Sequence, residues 1–358
     1  MTLSSLGWSD FFAKSFAPFS AAGLLPARVV LEHKQACELL SPTGALDAEC
    51  TGKLLHDAAG RADLPAVGDW VAMRLRPGET RADIHAVLPR RTKFSRRAPG
   101  AERGEQIVAA NVDTVFLVTA LDANYNLRRI ERYLAAAWES GAQPVVILNK
   151  TDLHPAPDAA RCEVAAVAPG VPVLALSAAS DASLDVLAPW LTPGATVALL
   201  GSSGVGKSTL INRLLAADRQ ATQPVSAAVG KGRHTTTRRE LIAAPSGALI
   251  MDTPGMRELQ FWEVDASALD ATFGDIAALA ARCRFGDCAH RGEPGCAIQA
   301  ALDDGTLADA RWRSFQKLQR EQAYAARKSD PQLARASKAV WKKIHQQQRA
   351  RYQAEGEE

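Results

Sequence analysis

The feature that most constrains this chain is the glycine-rich stretch GSSGVGKST at residues 201–209. The apolar run TVALL before it is typical of a buried strand, and KSTLINRLL, which begins inside it, is typical of a helix. A strand, the spacing G-x4-G-K-S and a helix together predict a phosphate-binding loop. We therefore expect an α/β domain in which backbone amides and a helix N-terminus face bound phosphates.

Each residue type in this loop has a chemical reason. Glycine at Gly204 and Gly206 lets the backbone approach phosphate oxygens, because no Cβ stands in the way. We expect Lys207 to neutralise phosphate charge during catalysis and Ser208 to supply a hydroxyl ligand to Mg²⁺. The predicted nucleotide contacts in the loop are Gly201, Ser202, Ser203, Gly204, Val205, Gly206, Lys207, Ser208 and Thr209.

The loop belongs to a longer alternation of strands and helices, from about residue 106 to residue 262. Apolar runs of strand length are separated by helical stretches such as LRRIERYLAAAWES and SLDVLAPWL. This alternation predicts a doubly wound parallel sheet, whose ligands bind beyond the carboxyl ends of the strands. The runs are TVFLVTA, PVVILNK, PVLALSA, TVALLGS and ALIMDTP.

A second motif, NKTD, closes the run PVVIL and predicts which base is bound. Asp152 can accept hydrogen bonds from the N1–H and the exocyclic amine of guanine, while Asn149 and Lys150 support the loop. Adenine would leave that carboxylate unpaired, and each lost charged hydrogen bond costs about 1.5–3 kcal/mol. The stretch ALSA after the next run is expected to back the base. The predicted base contacts are Asn149, Lys150, Thr151, Asp152, Ser177 and Ala178.

The base-reading motif precedes the phosphate loop, which reverses the order found in Ras-like GTPases. All these loops follow strands of one sheet, so the site depends on their arrangement in space and not on chain order. The order NKTD, ALSA, phosphate loop, DTPG is that of a circularly permuted GTPase domain. In DTPG we expect Asp252 to hold Mg²⁺ through water and the Gly255 amide to meet the γ-phosphate.

A stretch rich in glycine and threonine, GKGRHTTTRREL at residues 230–241, lies between the phosphate loop and DTPG. It is either a flexible surface loop or a switch whose threonine completes the Mg²⁺ shell, with Thr236 preferred to Thr235. Met256 stands where Ras-like enzymes carry the glutamine that orients water, and a thioether cannot do this. We therefore expect His234 to serve in catalysis, although a lone loop histidine is often only polar surface.

Three of the six cysteines cluster with a histidine as Cys283-x4-Cys288-x-His290-x5-Cys296. Three thiolates and one imidazole with no obvious further ligand predict a closed, tetrahedral structural site for one Zn²⁺. The start of the chain lacks the features of an export signal, which favours reduced thiols over disulfides.

Short strand-like runs between Ala27 and about Leu88 predict a small closed barrel, either an OB-fold or an SH3-like one. The basic stretch RRTKFSRR that follows is either a solvated linker or an RNA-binding segment that stacks a base on Phe94. The runs are ARVVLE, QACELL, DAECTGKLL, VGDWVAMRL and DIHAVL.

The two ends of the chain differ in character. The first 20 residues predict a short amphipathic cap, and no apolar run approaches the roughly 18 residues of a membrane span. Residues 311–353 hold twelve Lys or Arg against two acidic residues, in a chain of net charge +3. This excess predicts either a helix with a solvated cationic face or a surface for a polyanion. Apolar residues at helical spacing there are Leu333, Val340, Trp341 and Ile344.

These motifs together resemble the small-ribosomal-subunit-dependent GTPases of the RsgA/YjeQ family. The resemblance covers nearly the whole chain and rests on PAVGDWV, the permuted motifs and the Cys/His spacing. It implies an OB-fold barrel, a circularly permuted GTPase domain and a helical zinc-binding domain. It also implies binding of the 30S subunit and its rRNA, subunit-stimulated hydrolysis of GTP to GDP, and a role in late maturation of that subunit. We expect a cytoplasmic monomer without a membrane partner.

The expected boundaries are an N-terminal extension at 1–26, the barrel at 27–98, the GTPase domain at 99–264 and the zinc-binding domain with its basic tail at 265–358. Three alternatives remain. A P-loop ATPase or kinase is opposed by Asp152. An RNA-binding module that uses nucleotide only as a structural ligand is kept open by Met256. A permuted GTPase that acts on the large subunit is opposed by the resemblance alone.

Overall fold

The computed structural model describes residues 1–33, 36–97, 104–180, 184–216, 239–252 and 266–329. The chain divides into two compact units, residues 1–261 and 262–358. In the described ranges the first unit contains the strands and five helices, and the second unit is helical. The strands are β1 (Leu25–Glu32), β2 (Cys37–Ser41), β3 (Gly44–Cys50), β4 (Trp70–Leu75), β5 (Arg81–Val87), β6 (Lys93–Arg97), β7 (Glu105–Ala110), β8 (Thr114–Ala120), β9 (Gln143–Asn149), β10 (Val173–Ala175), β11 (Thr196–Leu200), β12 (Glu240–Ala243) and β13 (Leu249–Asp252). The helices are α1 (Asp10–Ala21), α2 (Gly52–Asp57), α3 (Leu127–Ser140), α4 (Pro157–Val167), α5 (Lys207–Leu214), α6 (Ala266–Thr272), α7 (Gly274–Ala280), α8 (Ala297–Asp303) and α9 (Asp309–Ser329).

The first five strands close into the predicted barrel. Their order is β1-β2-β3-β5-β4, and β4 pairs back onto β1. The β3–β5 pair is parallel and the others are antiparallel, which gives an OB-like barrel and not an SH3-like one. Alternate residues point inward, so that the barrel core is fully buried, as strand periodicity requires. This core includes Val29, Leu39, Val71, Met73 and Ile84.

One predicted strand of the barrel is too long. In the stretch DAECTGKLL the strand β3 ends at Cys50, and the helix α2 follows it. Thr51 caps that helix, because its side-chain oxygen accepts a hydrogen bond from the Leu54 backbone N–H at 3.3 Å. A capping threonine satisfies an amide that a helix leaves unpaired, so this residue ends the strand and begins the helix.

The N-terminal segment covers one end of the barrel, as its amphipathic pattern predicts. Phe12 and Phe16 of α1 are buried and form a cluster with Trp70 and Leu88 of the barrel. Trp8 meets Trp70 edge to face, with 4.6 Å between the ring centroids. Aromatic burial of this kind stabilises the contact beyond the area it removes from water.

The predicted parallel sheet is present in the order β10-β9-β8-β11-β13-β12. The five strands from β10 to β13 in that order pair in parallel, so their carboxyl ends lie at one edge. The last strand, β12, was not predicted and runs antiparallel to β13. It also pairs with β1 at Leu31 and Glu240, so barrel and α/β strands form one eleven-stranded sheet.

The basic stretch after the barrel is neither a linker nor a base-stacking segment. It forms β6, which pairs antiparallel with β7. Phe94 is only 3% exposed and packs in the core with Val67 and Val108, so the prediction that it stacks a base is wrong. The strand period of two turns Phe94 inward while its neighbours face outward. Three basic side chains pair with acids: Arg90 with Asp69, Arg91 with Asp113 and Lys93 with Glu105.

A buried arginine joins the barrel to the α/β sheet. Arg28 of β1 is 1% exposed, and burial lowers its pKa to about 10, which still leaves it charged at neutral pH. A buried charge is stable only when its hydrogen-bonding capacity is satisfied. Its guanidinium donates to the carbonyls of Leu6, Gly68 and Asn111 and to the Thr196 hydroxyl.

The second unit is helical, as predicted. Arg311 of α9 is paired with Asp275 of α7 at 2.6 Å and lies over the ring of Phe273. Phe315 packs against Phe273 and stacks on Trp312. The helix α9 covers the start of the basic tail, whereas the apolar residues predicted after residue 329 lie outside the described residues. None of the helices in the described ranges is both long enough and apolar enough to cross a bilayer.

Candidate functional site

The predicted nucleotide motifs lie at one edge of the parallel sheet. NKTD begins at the last residue of β9, ALSA begins at the last residue of β10, and the phosphate loop follows β11. Because β8 and β13 flank β11, this loop lies between the carboxyl ends of two neighbouring parallel strands. Loops at this edge are where open α/β sheets bind their ligands.

Asn149 connects three of the predicted motifs. Its side chain is 1% exposed, and its Nδ2 donates to the carbonyl of Val205 in the phosphate loop at 2.8 Å. Its Oδ1 accepts from the backbone N–H of Ala178 in the ALSA stretch, also at 2.8 Å. One buried amide thus binds the base-reading, base-backing and phosphate loops together.

The phosphate loop curves around its own lysine. Lys207 begins α5, is 7% exposed, and its Nζ donates to the carbonyls of Gly201 and Ser202 at 2.6 and 2.5 Å. Gly204 and Gly206 have φ of 81° and 97°, values that favour glycine. A Cβ at Gly206 would lie 2.2 Å from Asn149 Nδ2. A bare, curved backbone around an ammonium is suited to phosphate oxygens.

The base-reading loop has an unusual backbone at its second residue. Lys150 adopts the left-handed conformation with φ of 62°, and a short 3-10 helix, Thr151–Leu153, follows it. The Thr151 N–H donates to the Leu176 carbonyl at 3.3 Å, which holds this loop beside the base-backing loop. Of the predicted base contacts in these two loops, Asp152 is exposed and Ser177 is 8% exposed.

The predicted Mg²⁺ ligands are only partly within the described residues. Asp252 is the last residue of β13, is 6% exposed and lies in register with Glu240. Ser208 lies in the first turn of α5. Asp252 ends β13, and Ser208 comes after the loop that follows the neighbouring strand β11. A carboxylate and a hydroxyl therefore lie at the same edge of the sheet, and oxygen ligands suit Mg²⁺. The predicted residues His234, Thr235, Thr236, Gly255 and Met256 lie outside the described residues.

Two site contacts were not predicted. Lys150 Nζ donates to Asp122 Oδ2 at 2.8 Å, and Arg129 Nη1 donates to Ser202 Oγ at 3.1 Å. Asp122 follows the end of β8, so an acidic residue just after a buried strand was the available signal. Arg129 lies in the first turn of α3, and nothing in its sequence context marks it.

The predicted zinc ligands converge in the second unit. The ligand atoms of Cys283, Cys288, His290 and Cys296 all lie within 4.8 Å of one another. His290 Nδ1 is 3.6 Å from Cys283 Sγ and 3.5 Å from Cys296 Sγ. Zn–S and Zn–N bonds of about 2.3 and 2.0–2.1 Å at a tetrahedral angle separate S and N by about 3.5 Å. The donor set and its spacing therefore fit one tetrahedral metal ion.

The turn that carries these ligands is tightly bent. His290, Gly292 and Gly295 all have positive φ, and a Cβ at Gly295 would lie 2.9 Å from the Cβ of Arg284. His290 also meets Trp312 edge to face, with 5.8 Å between the ring centroids. The ring therefore has a packed neighbour that limits its rotation.

The thiols of the cluster differ in acidity. Desolvation opposes ionisation of Cys283, but backbone amides of Ala297 and Ile298 outweigh it and the pKa of this thiol is lowered. The amide of His290 favours the Cys288 thiolate, yet burial and the two neighbouring thiols raise the pKa of Cys288 to about 11. Packed thiols oppose a second negative charge, and a bound divalent cation would remove that opposition.

Comparison with known proteins agrees with this architecture. The family model described as "RsgA GTPase" matches residues 87–262. A protein of Opitutus terrae called "Small ribosomal subunit biogenesis GTPase RsgA" is 64% identical over 364 residues, which cover 99% of either chain. A protein of the same name from Syntrophotalea carbinolica is 45% identical and covers 97% of either chain.

Solved structures show the same fold. "Crystal structure of YjeQ from Thermotoga maritima" is similar with a TM-score of 0.61 and 26% identity, over 82% of this chain and 97% of that one. "The crystal structure of YloQ, a circularly permuted GTPase" is similar with a TM-score of 0.60 and 22% identity, over 83% of this chain and 94% of that one. The chain belongs to the RsgA family of circularly permuted GTPases, which are GTP-hydrolysing enzymes.

Proposed function

We propose that this enzyme binds the small ribosomal subunit and hydrolyses GTP during the late maturation of that particle. Two relatives that align with nearly the whole chain carry the name of a small ribosomal subunit biogenesis GTPase. The observation that supports the nucleotide site best is the buried side chain of Asn149, which joins the phosphate loop to the base-backing loop.

The proposed guanine site consists of Asp152 as the base reader, with Ser177 and Ala178 behind the base. The exposed Asp152 carboxylate would accept from the N1–H and the exocyclic amine of guanine. The loop amides at 201–209 would hold the phosphates, and the Lys207 ammonium would exchange its two carbonyl acceptors for phosphate oxygens.

Two metal ions accompany this proposal. Ser208, Asp252 and Thr236 would hold Mg²⁺, which supplies positive charge beside the phosphates. Zn²⁺ at Cys283, Cys288, His290 and Cys296 would be structural, because four protein ligands leave no position for water. Its role is to stabilise a loop-rich turn that has little core of its own.

For catalysis we propose His234 as the group that takes the place of the missing glutamine, with Lys207 and Thr236 as the other catalytic residues. His234→Ala should bind GTP normally but lose most of the hydrolysis that the small subunit stimulates. Arg161→Ala, at an exposed arginine on α4 of the GTPase domain, is the control and should retain it. Normal stimulated hydrolysis by His234→Ala would exclude the role of His234.

The organisation of the whole protein follows from the same proposal. The barrel at 27–98 and the zinc-binding domain at 265–358 would bind rRNA, and the GTPase domain at 99–264 would control that binding. The extension at 1–26 would serve to close the barrel. We expect a monomer that acts in the cytoplasm, where the ribosomal particle is assembled.

Sedimentation with purified ribosomal subunits tests the proposal. The protein should pellet with small subunits and not with large ones, and more with a non-hydrolysable GTP analogue than with GDP. GTP hydrolysis should rise at least about tenfold with small subunits, since a completed GTPase site commonly gains far more. Binding should weaken as salt rises, because phosphates are neutralised in the complex.

Each alternative has its own outcome. Equal affinity for ATP and GTP would indicate a P-loop ATPase or kinase. Subunit binding without stimulated hydrolysis would indicate an RNA-binding module that uses nucleotide as a structural ligand, an alternative that Met256 keeps open. Sedimentation with large subunits alone would assign the enzyme to the other particle.

A further inference from the structure

The connection between β8 and α3, residues 121–126, touches the base-reading loop at two points. Asp122 Oδ2 accepts from Lys150 Nζ at 2.8 Å, and the two side chains are only about a quarter exposed. The Leu121 N–H donates to the Asn149 carbonyl at 2.9 Å. A charge-assisted hydrogen bond at a partly buried position is stronger than an exposed ion pair.

The same segment reaches the phosphate loop from its other end. Arg129, in the first turn of α3, donates from Nη1 to Ser202 Oγ at 3.1 Å and to the Asn124 carbonyl at 3.3 Å. Ser202 is also one of the two residues whose carbonyls hold the Lys207 ammonium. The arginine thus touches the part of the loop that surrounds the phosphate-binding lysine.

The segment between these two contacts is internally braced. Asp122 accepts from the Asn124 N–H through Oδ1 at 2.9 Å, and its carbonyl accepts from the Tyr125 N–H at 2.8 Å. Asn126 caps α3, since its Oδ1 accepts from the Arg129 N–H at 3.1 Å. An Asx turn followed directly by a capped helix leaves little freedom between Asp122 and Arg129.

We propose that residues 121–129 are a positioning element of the nucleotide site, in which Asp122 holds Lys150 and Arg129 holds Ser202. The element sets the span between the base and phosphate subsites before nucleotide binds. Neither residue needs to touch the nucleotide, so both are positioning residues. The inference rests on the proposed guanine-nucleotide site.

The chemistry predicts different effects for the two residues. The Lys150 side chain is anchored at its tip by Asp122, so its aliphatic part is held in one place beside the base-reading loop. Without Asp122 the Lys150 side chain has more conformational freedom, and nucleotide binding must remove it. Every ligand that contains the base should therefore bind more weakly. Loss of Arg129 frees the first half of the phosphate loop and weakens only ligands that reach it.

The test is competition of GMP and GDP against a fluorescent GDP, on the full-length protein. Asp122→Asn should raise the Kd of both ligands by the same factor, about tenfold for a lost charged hydrogen bond. Arg129→Gln should raise the Kd of GDP about fivefold and leave that of GMP within about twofold. General loosening of the fold would weaken both ligands in both variants and would overturn the assignment.

Two further measurements separate positioning from simple structural damage. In a Lys150→Met background, Asp122→Asn should add less than about twofold, because its only proposed target is gone. Asp122→Glu should recover part of the affinity, because it restores the charge. Asp158→Asn, which removes an exposed carboxylate paired with Arg161 in the same domain, is the matched control and should bind GDP like the wild type.

The inference and the proposed function can fail separately. Tight, guanine-selective binding by both the wild type and Asp122→Asn would overturn the inference and leave the proposed function standing. If the wild type bound ADP as tightly as GDP, the guanine specificity would be wrong. The double-mutant cycle of Asp122→Asn and Lys150→Met, measured with whichever nucleotide binds, would still test the inference.

Discussion

The side-chain amide of Asn149 donates to the carbonyl of Val205 at 2.8 Å, although 56 residues separate them in the chain. The same amide accepts from Ala178, so it joins three loops that come from different strands. The chain between Asn149 and Val205 includes a helix and two strands, so no short connection holds these loops together. A buried hydrogen bond between them takes over that task, and it is strong because the group is shielded from water.

Replacement of Asn149 should therefore loosen the site and destabilise the domain. Asn149→Ala leaves the Val205 carbonyl and the Ala178 N–H unpaired, at a cost of about 1–3 kcal/mol each. We expect a loss of about 2–4 kcal/mol in the free energy of unfolding by urea, and at least about tenfold weaker GDP binding.

Asn149→Asp distinguishes the contributions of the two hydrogen bonds to nucleotide binding, because it keeps one of them and removes the other. A carboxylate still accepts from the Ala178 N–H but cannot donate to the Val205 carbonyl and instead repels it. This variant should therefore lose GDP affinity as much as Asn149→Ala does. Normal GDP binding by both variants would show that the loops are held together by other contacts.

Gly206 should be intolerant of any side chain. A Cβ there would lie 2.2 Å from Asn149 Nδ2, and φ of 97° is strained for other residues. Gly206→Ala should fold but bind GDP more than about 100-fold more weakly, since both the loop and its Asn149 brace must shift. Gly170→Ala is the matched control, because Gly170 also has a positive φ but a Cβ there would meet no atom within 4 Å. It should lose a little stability and no affinity.

Asp152 should decide which purine is bound. An asparagine there offers an amide donor in place of one carboxylate oxygen, which suits xanthine, since xanthine carries a carbonyl where guanine carries its amine. Asp152→Asn should lose at least about 100-fold in GDP affinity and gain affinity for xanthosine diphosphate. Isothermal titration with both nucleotides measures this. Unchanged preference for GDP would assign base recognition to another residue.

Much of the fold was predictable because its strands are apolar runs with clear ends. The run TVFLVTA coincides with β8, and LRRIERYLAAAWES coincides with α3. By contrast β12 has only four residues, and it is stabilised by pairing on both sides with β1 and β13. Such a strand is a product of tertiary contacts and leaves almost no periodic signal.

The candidate site was predictable where a motif has fixed spacing and not where a single residue acts. The motifs identified Asn149, Val205 and Ala178 as site residues, and the structure brings those three together. Asp122 and Arg129 were missed because a single charged residue after a strand or in a helix is usually only part of a solvated surface. Phe94 was misread because it is the only apolar residue in the stretch RRTKFSRR, so the stretch shows no apolar period that would predict a strand.

The proposed zinc site, formed by Cys283, Cys288, His290 and Cys296, should hold one equivalent of metal and support the second unit. Cys288→Ser should lower zinc content, measured by atomic absorption, and lower the melting temperature of that unit. Cys162→Ser, at an exposed free thiol in the other unit, is the control and should retain one zinc. Because Cys288 has a raised pKa of about 11, metal binding must release its proton. Zinc affinity should therefore fall as the pH falls from 7.5 to 6. Full zinc content in Cys288→Ser would remove this residue from the ligand set.

Arg28 should be the side chain on which the joint between barrel and sheet depends most. Its loss removes this donor from the carbonyls of Leu6 and Asn111 and from the Thr196 hydroxyl, whereas the Gly68 carbonyl still accepts from Asn111 Nδ2. Arg28→Met keeps the volume but removes every donor, so we expect a loss of about 3–5 kcal/mol in the free energy of unfolding. The loss should not change between pH 6 and 8, because the folded-state pKa of about 10 lies above that range and the unfolded value is higher still.

Arg74→Met on β4 of the same barrel is the control for Arg28→Met. Arg74 is exposed and makes one long hydrogen bond, to the Ala22 carbonyl at 3.3 Å, so its loss should cost less than about 0.5 kcal/mol. Arg28→Lys distinguishes charge from geometry. A single ammonium keeps the charge but cannot span acceptors on the barrel, the N-terminal segment and β11 together, so this variant should be nearly as unstable as Arg28→Met. Wild-type stability in Arg28→Lys would mean that the charge alone holds the joint, and that the planar fork of donors is dispensable.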